Sequence, residues 1–165
     1  MTVAIDTDFL VAVEIRDHLF HKPADAVLGR LLEEGHKLAV APQILVEFVH
    51  VVTDSKRLKD PLSMEEALAR AEYWWQAREV VRIYPEGDAV STWIEWLREH
   101  RLGRKRLLDT MLAASACSQG ISTIVTNNEK DFKVFGSFEI LTYKDQGNLP
   151  EGPFGEHRVE RLNCP

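Results

Sequence analysis

The chain has 165 residues, 45% of them hydrophobic, and a formal net charge of −6. This length and composition suit one globular domain with a sizeable core and exclude a disordered chain. The acidic balance excludes broad, charge-driven adhesion to nucleic acid, although a local basic strip can still contact phosphates.

No uninterrupted apolar stretch is long enough to span a bilayer, and the N-terminus lacks the basic-then-apolar pattern of a secretory signal. The expectation is a cytoplasmic protein with no membrane partner. Cys117 and Cys164 read as a buried cysteine and a tail cysteine, not as a disulfide or a cysteine metal site. The six histidines show no paired metal-ligand spacing, so a zinc site is not expected.

In chain order, Val3 to Ile5 reads as a buried strand that ends in Asp6-Thr7-Asp8. Phe9 to Leu19 follows with apolar residues on a helical period. Pro23 fits the first turn of a second helix, Ala24 to Glu34, stopped by Gly35. Leu38 to Ala41 is a second buried strand, and Pro42 opens a helix from Gln43 to about Lys56. Glu47 is the one acid amid the apolar residues of that helix, where burial without a partner is costly. Ser63 and Glu66 have the spacing of a capping box, at the head of a helix that reaches Arg78.

Val80 to Tyr84 is a third strand, followed by a helix carrying Trp93, Ile94, Trp96 and Leu97. Arg101, Arg104, Lys105 and Arg106 form the dense basic patch of the chain, in a loop. Leu107 to Ala116 is a helix of apolar and small residues almost all round, suited to close packing on a sheet, with Asp109 in its first turn. Ile121 to Val125 is a fourth strand, Thr126 to Phe132 a polar loop, and Phe138 to Leu141 a fifth strand. The aromatic residues Tyr73, Trp74, Trp75, Trp93 and Trp96 read as core or dimer-interface groups. Alternating strands and helices predict a parallel sheet with helices on both faces. The domain is expected over residues 1–143, with a C-terminal extension over 144–165.

A parallel sheet would bring four polar clusters together. Asp6 ends strand one, Glu47 lies on the helix after strand two, Asp109 begins the helix before strand four, and Asn128 and Asp131 follow strand four. Oxygen ligands without His or Cys suit Mg²⁺ or Mn²⁺. Converging carboxylates repel one another and persist with a cation or with shifted pKa values.

These residues resemble the PIN-domain nucleases, especially VapC-like toxin ribonucleases. The resemblance is carried by Ile5-Asp6-Thr7, by Glu47 in Leu45-Val46-Glu47-Phe48, and by Asp109 in Leu108-Asp109-Thr110-Met111-Leu112-Ala113-Ala114-Ser115-Ala116. It continues to Thr126-x-Asn128-x-x-Asp131-Phe132 and covers roughly Val3 to Tyr143. It implies a three-layer α/β/α sandwich with a five-stranded parallel sheet. It also implies an Mg²⁺-dependent endoribonuclease, an RNA substrate, a cognate antitoxin and a homodimer. Asp6, Glu47 and Asp109 become the metal-binding acids, and Asn128 or Asp131 the fourth position. Thr7 and Thr126 become hydrogen-bonding supports and substrate contacts. The basic strip of Arg104, Lys105 and Arg106 is a candidate phosphate contact.

Two other functions fit parts of the pattern. A haloacid-dehalogenase-type phosphatase would use Asp6 as nucleophile and Asp8 as acid/base, but the sequence lacks the later acid pair that this chemistry wants. A degenerate PIN-like fold would bind RNA or protein without cleaving.

Overall fold

The structure, a computed structural model, describes residues 1–144. The extension expected over 144–165 therefore lies, apart from Lys144, outside the described residues. Five strands form one parallel sheet in the order β3-β2-β1-β4-β5. They are β1 (Thr2–Ile5), β2 (Lys37–Val40), β3 (Val80–Arg82), β4 (Thr123–Val125) and β5 (Glu139–Leu141).

The helices between them are α1 (Thr7–Glu14), α2 (His21–Glu33), α3 (Pro42–Val52), α4 (Met64–Gln76), α5 (Ala89–Glu99), α6 (Leu107–Ser118) and α7 (Glu129–Lys133). The chain grows outward from β1 to β3, returns through α5 and α6, and sets β4 on the other side of β1. The helices of the first run pack on one another, α1 on α2 and α3 and α3 on α4, and those of the return pack together, α5 on α6. The direction reverses between β1 and β4, and open parallel sheets place their ligands at such a switch point, beyond the carboxyl ends of the strands. No described helix is long and apolar enough to cross a membrane.

β1 and β4 are buried because both faces of the central sheet are covered. Val3, Ala4, Ile5, Ile124 and Val125 are fully enclosed, and Phe9, Leu10, Ile44, Phe48 and Leu112 pack over them. Trp74 and Trp96 belong to this core, Trp96 stacking on Phe135 at a centroid distance of 4.5 Å. Tyr73, by contrast, is 71% exposed.

Several boundaries differ from the periodicity. α1 stops at Glu14, because the Glu14 carboxylate is drawn to α4, accepting from Arg70 Nη1 at 3.0 Å and from Trp74 Nε1 at 2.7 Å. Leu19, expected on the apolar face of that helix, is 83% exposed. α7 was expected as loop. Its five residues are too few to show a hydrophobic period, and buried Phe132 anchors it. Cys117 is buried and disulfide-bonded, which corrects the reading of it as an unbonded core cysteine; Cys164 lies outside the described residues.

The capping box is present. Glu66 N donates to Ser63 Oγ at 3.2 Å, and Ser63 N donates to Glu66 Oε2 at 2.9 Å. Ser63→Ala is expected to cost about 1 kcal/mol, a fall of roughly 2–4 °C in melting temperature. An unchanged thermal midpoint would remove the box from the list of contributors.

Candidate active site

The register of the two central strands builds the floor of the site. Ala4 pairs with Ile124 and Ile5 with Val125, so Asp6 and Thr126 emerge side by side at the carboxyl end of the sheet. Asp6 N donates to Val125 O at 3.1 Å, and the Thr126 hydroxyl donates to Asp6 Oδ2 at 2.8 Å. Asp6 is also the N-cap of α1, with Oδ1 accepting from Thr7 N at 2.7 Å. Its carboxylate is thus held at both oxygens and is only 3% exposed.

Glu47 reaches the same corner from α3. The Thr7 hydroxyl donates to Glu47 Oε2 at 2.8 Å, so one residue after Asp6 orients the acid of another helix. Thr7 and Thr126 are buried, and their hydroxyls are spent on carboxylates. Both hydroxyls support the acids: Thr7 holds Glu47 and Thr126 holds Asp6.

Asp109 enters from the first turn of α6. Its pKa is raised to about 6, first by burial, then by the charges of Asp131 and Glu47, with Arg106 opposing. Asp6 is held well above the usual carboxylate range, first by burial and then by Asp8 and Asp109. These mutual effects place Asp6, Glu47, Asp109 and Asp131 in one electrostatic cluster. Of the two candidates for the fourth position, Asp131 is joined to that cluster, whereas Asn128 is exposed and contributes its backbone N–H to Thr126 Oγ1 at 2.9 Å.

Asp8, the acid/base of the phosphatase reading, braces the loop after β4. Its Oδ2 accepts from Asn127 N at 2.9 Å, and Asn127 Oδ1 in turn accepts from Tyr143 N at 3.0 Å and Lys144 N at 3.1 Å. Burial pushes the Asp8 carboxyl up to about 6. This brace ties α1 to the loop after β4 and to the end of β5. Asn127 was not singled out in the sequence, and a lone Asn in a polar loop carries no signal of such a role.

The basic strip divides. Arg104 and Lys105 face outward, while Arg106 turns in. Its Nη1 lies 3.1 Å from Asp131 Oδ1, its Nη2 donates to the main-chain oxygen of Asp131, and its Nε lies 3.4 Å from Asp109 Oδ2. Arg106, expected as a phosphate contact, is ion-paired within the acid cluster.

The donor set is all oxygen, and the repulsion within it calls for a cation, so its chemistry fits Mg²⁺ or Mn²⁺. As the side chains stand, however, no three His, Cys, Asp or Glu residues among those described are grouped to hold an ion. Asp109 leans toward Arg106 instead. A cavity of about 1150 Å³ lies elsewhere, at the amino ends of β2 and β3, bounded by Leu28, Leu62, Arg70 and Trp74. It holds none of the clustered acids.

The PIN-domain family model matches residues 3–136. Among solved structures, VapBC2 from Rickettsia felis, bound to a DNA fragment from its promoter, superimposes with a TM-score of 0.62 at 18% identity, covering 87% of this chain and 99% of that one. VapC20 of Mycobacterium tuberculosis, described as a sarcin-ricin loop cleaving toxin, gives 0.63 at 17% identity, covering 82% and 95%. FitAcB from Neisseria gonorrhoeae gives 0.56 at 14% identity, covering 85% and 96%. At such identities the likeness is one of fold. No curated protein matches the chain.

Proposed function

The chain belongs to the PIN-domain family, and from that premise we propose that it is a metal-dependent endoribonuclease, the toxin of a type II toxin–antitoxin pair. The observation that carries this reading is the Asp6 carboxylate. It is buried, fixed by Thr7 and Thr126, and raised in pKa by burial and by the neighbouring acids Asp8 and Asp109. Holding a charge there is unfavourable unless a cation arrives, which is a state worth building for a metal-using enzyme.

Asp6, Glu47 and Asp109 would hold Mg²⁺ or Mn²⁺, with Asp131 as the fourth acid and Asn128 beside it. When bound, the ion would lower the pKa of a water and stabilise the charge that grows on a phosphodiester. The chain's own residues supply orientation. Thr126 fixes the Asp6 carboxylate, and Thr7 fixes Glu47, so that two acids from different elements keep one geometry. Arg104 and Lys105, exposed at the mouth of α6, would neutralise backbone phosphates of the RNA.

The partners belong to the same reading. A cognate antitoxin is proposed because one of the similar structures is a VapBC complex. A homodimer is proposed because Val90 and Ile94 on α5 and Leu107 and Leu108 on α6 are exposed on adjacent helices. A cytoplasmic location follows from the role.

The test is cleavage of single-stranded RNA and of DNA of the same sequence by the purified chain. RNA cleavage is expected in Mg²⁺ or Mn²⁺, none in chelator, and none of the DNA. Cleavage that survives chelation would remove the metal from the reading, and RNA that stays intact in both ions would remove the nuclease.

A further inference from the structure

Arg106 stands out within the acid cluster because it is a cation held among groups that are read as ion ligands. It closes the 3₁₀ turn Arg104–Arg106 and precedes Asp109 by three residues, so both lie on one face where α6 begins. Its side chain is 17% exposed. The guanidinium has two unequal arms. One is bound firmly to Asp131, through the carboxylate at 3.1 Å and through the main-chain oxygen. The other, Nε, is buried without a hydrogen bond and only leans on Asp109 Oδ2 at 3.4 Å.

We propose that Arg106 is the resident counter-charge of the site, anchored on Asp131 and competing with the divalent cation for Asp109, so that it sets how tightly the ion binds. This rests on the nuclease reading and adds a residue that tunes it. The firm arm keeps Arg106 in place when Asp109 leaves, and the loose arm makes that departure cheap. A cation entering the cluster must draw Asp109 away from the guanidinium, and the lost pairing is subtracted from its affinity. The same competition accounts for the lack, among the described residues, of any three acids grouped to hold an ion. Arg106 is a positioning residue here, acting through Asp109.

The experiment is calorimetric titration of the full chain with Mn²⁺, without substrate, for the wild type, Arg106→Gln, Arg106→Met, Arg106→Lys and Arg104→Gln. The two neutral variants are expected to bind Mn²⁺ up to about fivefold more tightly, the worth of a partly exposed ion pair. Arg104→Gln alters an outward residue and is expected within about twofold of wild type, whereas Arg106→Lys keeps the charge without the planar fork that spans Asp131 and Asp109 and is expected between wild type and the neutral variants. Two neutral variants are used so that one failing to fold leaves the other to decide. Equal or weaker binding by a folded neutral variant overturns the proposal and leaves the nuclease reading standing. Absence of Mn²⁺ binding by the wild type overturns both.

Discussion

Asp6→Asn is expected to lower RNA cleavage by on the order of 10²-fold or more while leaving the fold intact. The substitution keeps the size of the side chain and an oxygen for the Thr7 N–H that caps α1. It removes the charge that the cation would neutralise. Asp6 is buried and repelled by Asp8 and Asp109, so the neutral variant should also melt higher than the wild type in chelator. Lost activity with gained metal-free stability marks a residue kept for chemistry. Equal cleavage by Asp6→Asn and wild type would remove Asp6 from the site, and a lower melting point in chelator would show that its charge is structurally favourable. Expression of the two forms in cells extends the test: growth arrest and loss of RNA integrity should follow the wild type only.

The second large effect is on the pH dependence of the metal-free protein. Asp8 and Asp109 each rise from 3.8 to about 6 in the folded state, both chiefly through burial. The folded chain therefore keeps protons that the unfolded chain has released. Their contribution is fully present below about pH 4 and is lost as pH rises through about 6. For Asp8, which is half-buried, the loss is at most on the order of 3 kcal/mol. The lowered pKa values of Glu66 and Glu129 act in the opposite sense, but Glu66 is exposed and Glu129 only partly covered, so solvent screening keeps their effects small. Thermal unfolding in chelator should show a falling midpoint between pH 4 and 6.5. Added Mn²⁺ should flatten the fall by supplying the missing positive charge, and Asp8→Asn should reduce it. A midpoint that rises or stays level across this interval would contradict the burial and repulsion assigned to these acids.

Much of the site was legible because its acids interrupt patterns that are otherwise apolar. Asp6 ends a buried run, Glu47 breaks an apolar helix face, and Asp109 heads a helix of small residues. Each is conspicuous on solvation grounds alone, since a lone carboxylate in such company is expensive. Asn127 and Asp8 were not legible as a brace. Their partners are 119 residues apart in the chain, and neither residue type is unusual in a loop or a first helical turn. The end of α1 was misplaced for a similar reason: the pull of Arg70 and Trp74 on Glu14 comes from a distant helix and leaves no trace in local periodicity.

The amino-acid sequence by itself determined the alternation of strands and helices, the parallel sheet, and the identity of the acids, because hydrophobic period and the cost of burying charge are local properties. Only the tertiary structure decided which way each side chain turns. It sent Arg106 inward to Asp109 and Asp131 while its neighbours Arg104 and Lys105 face solvent. Three successive basic residues are equivalent on paper. The geometry of a single 3₁₀ turn, and the field of acids gathered from four separate stretches of chain, make them different.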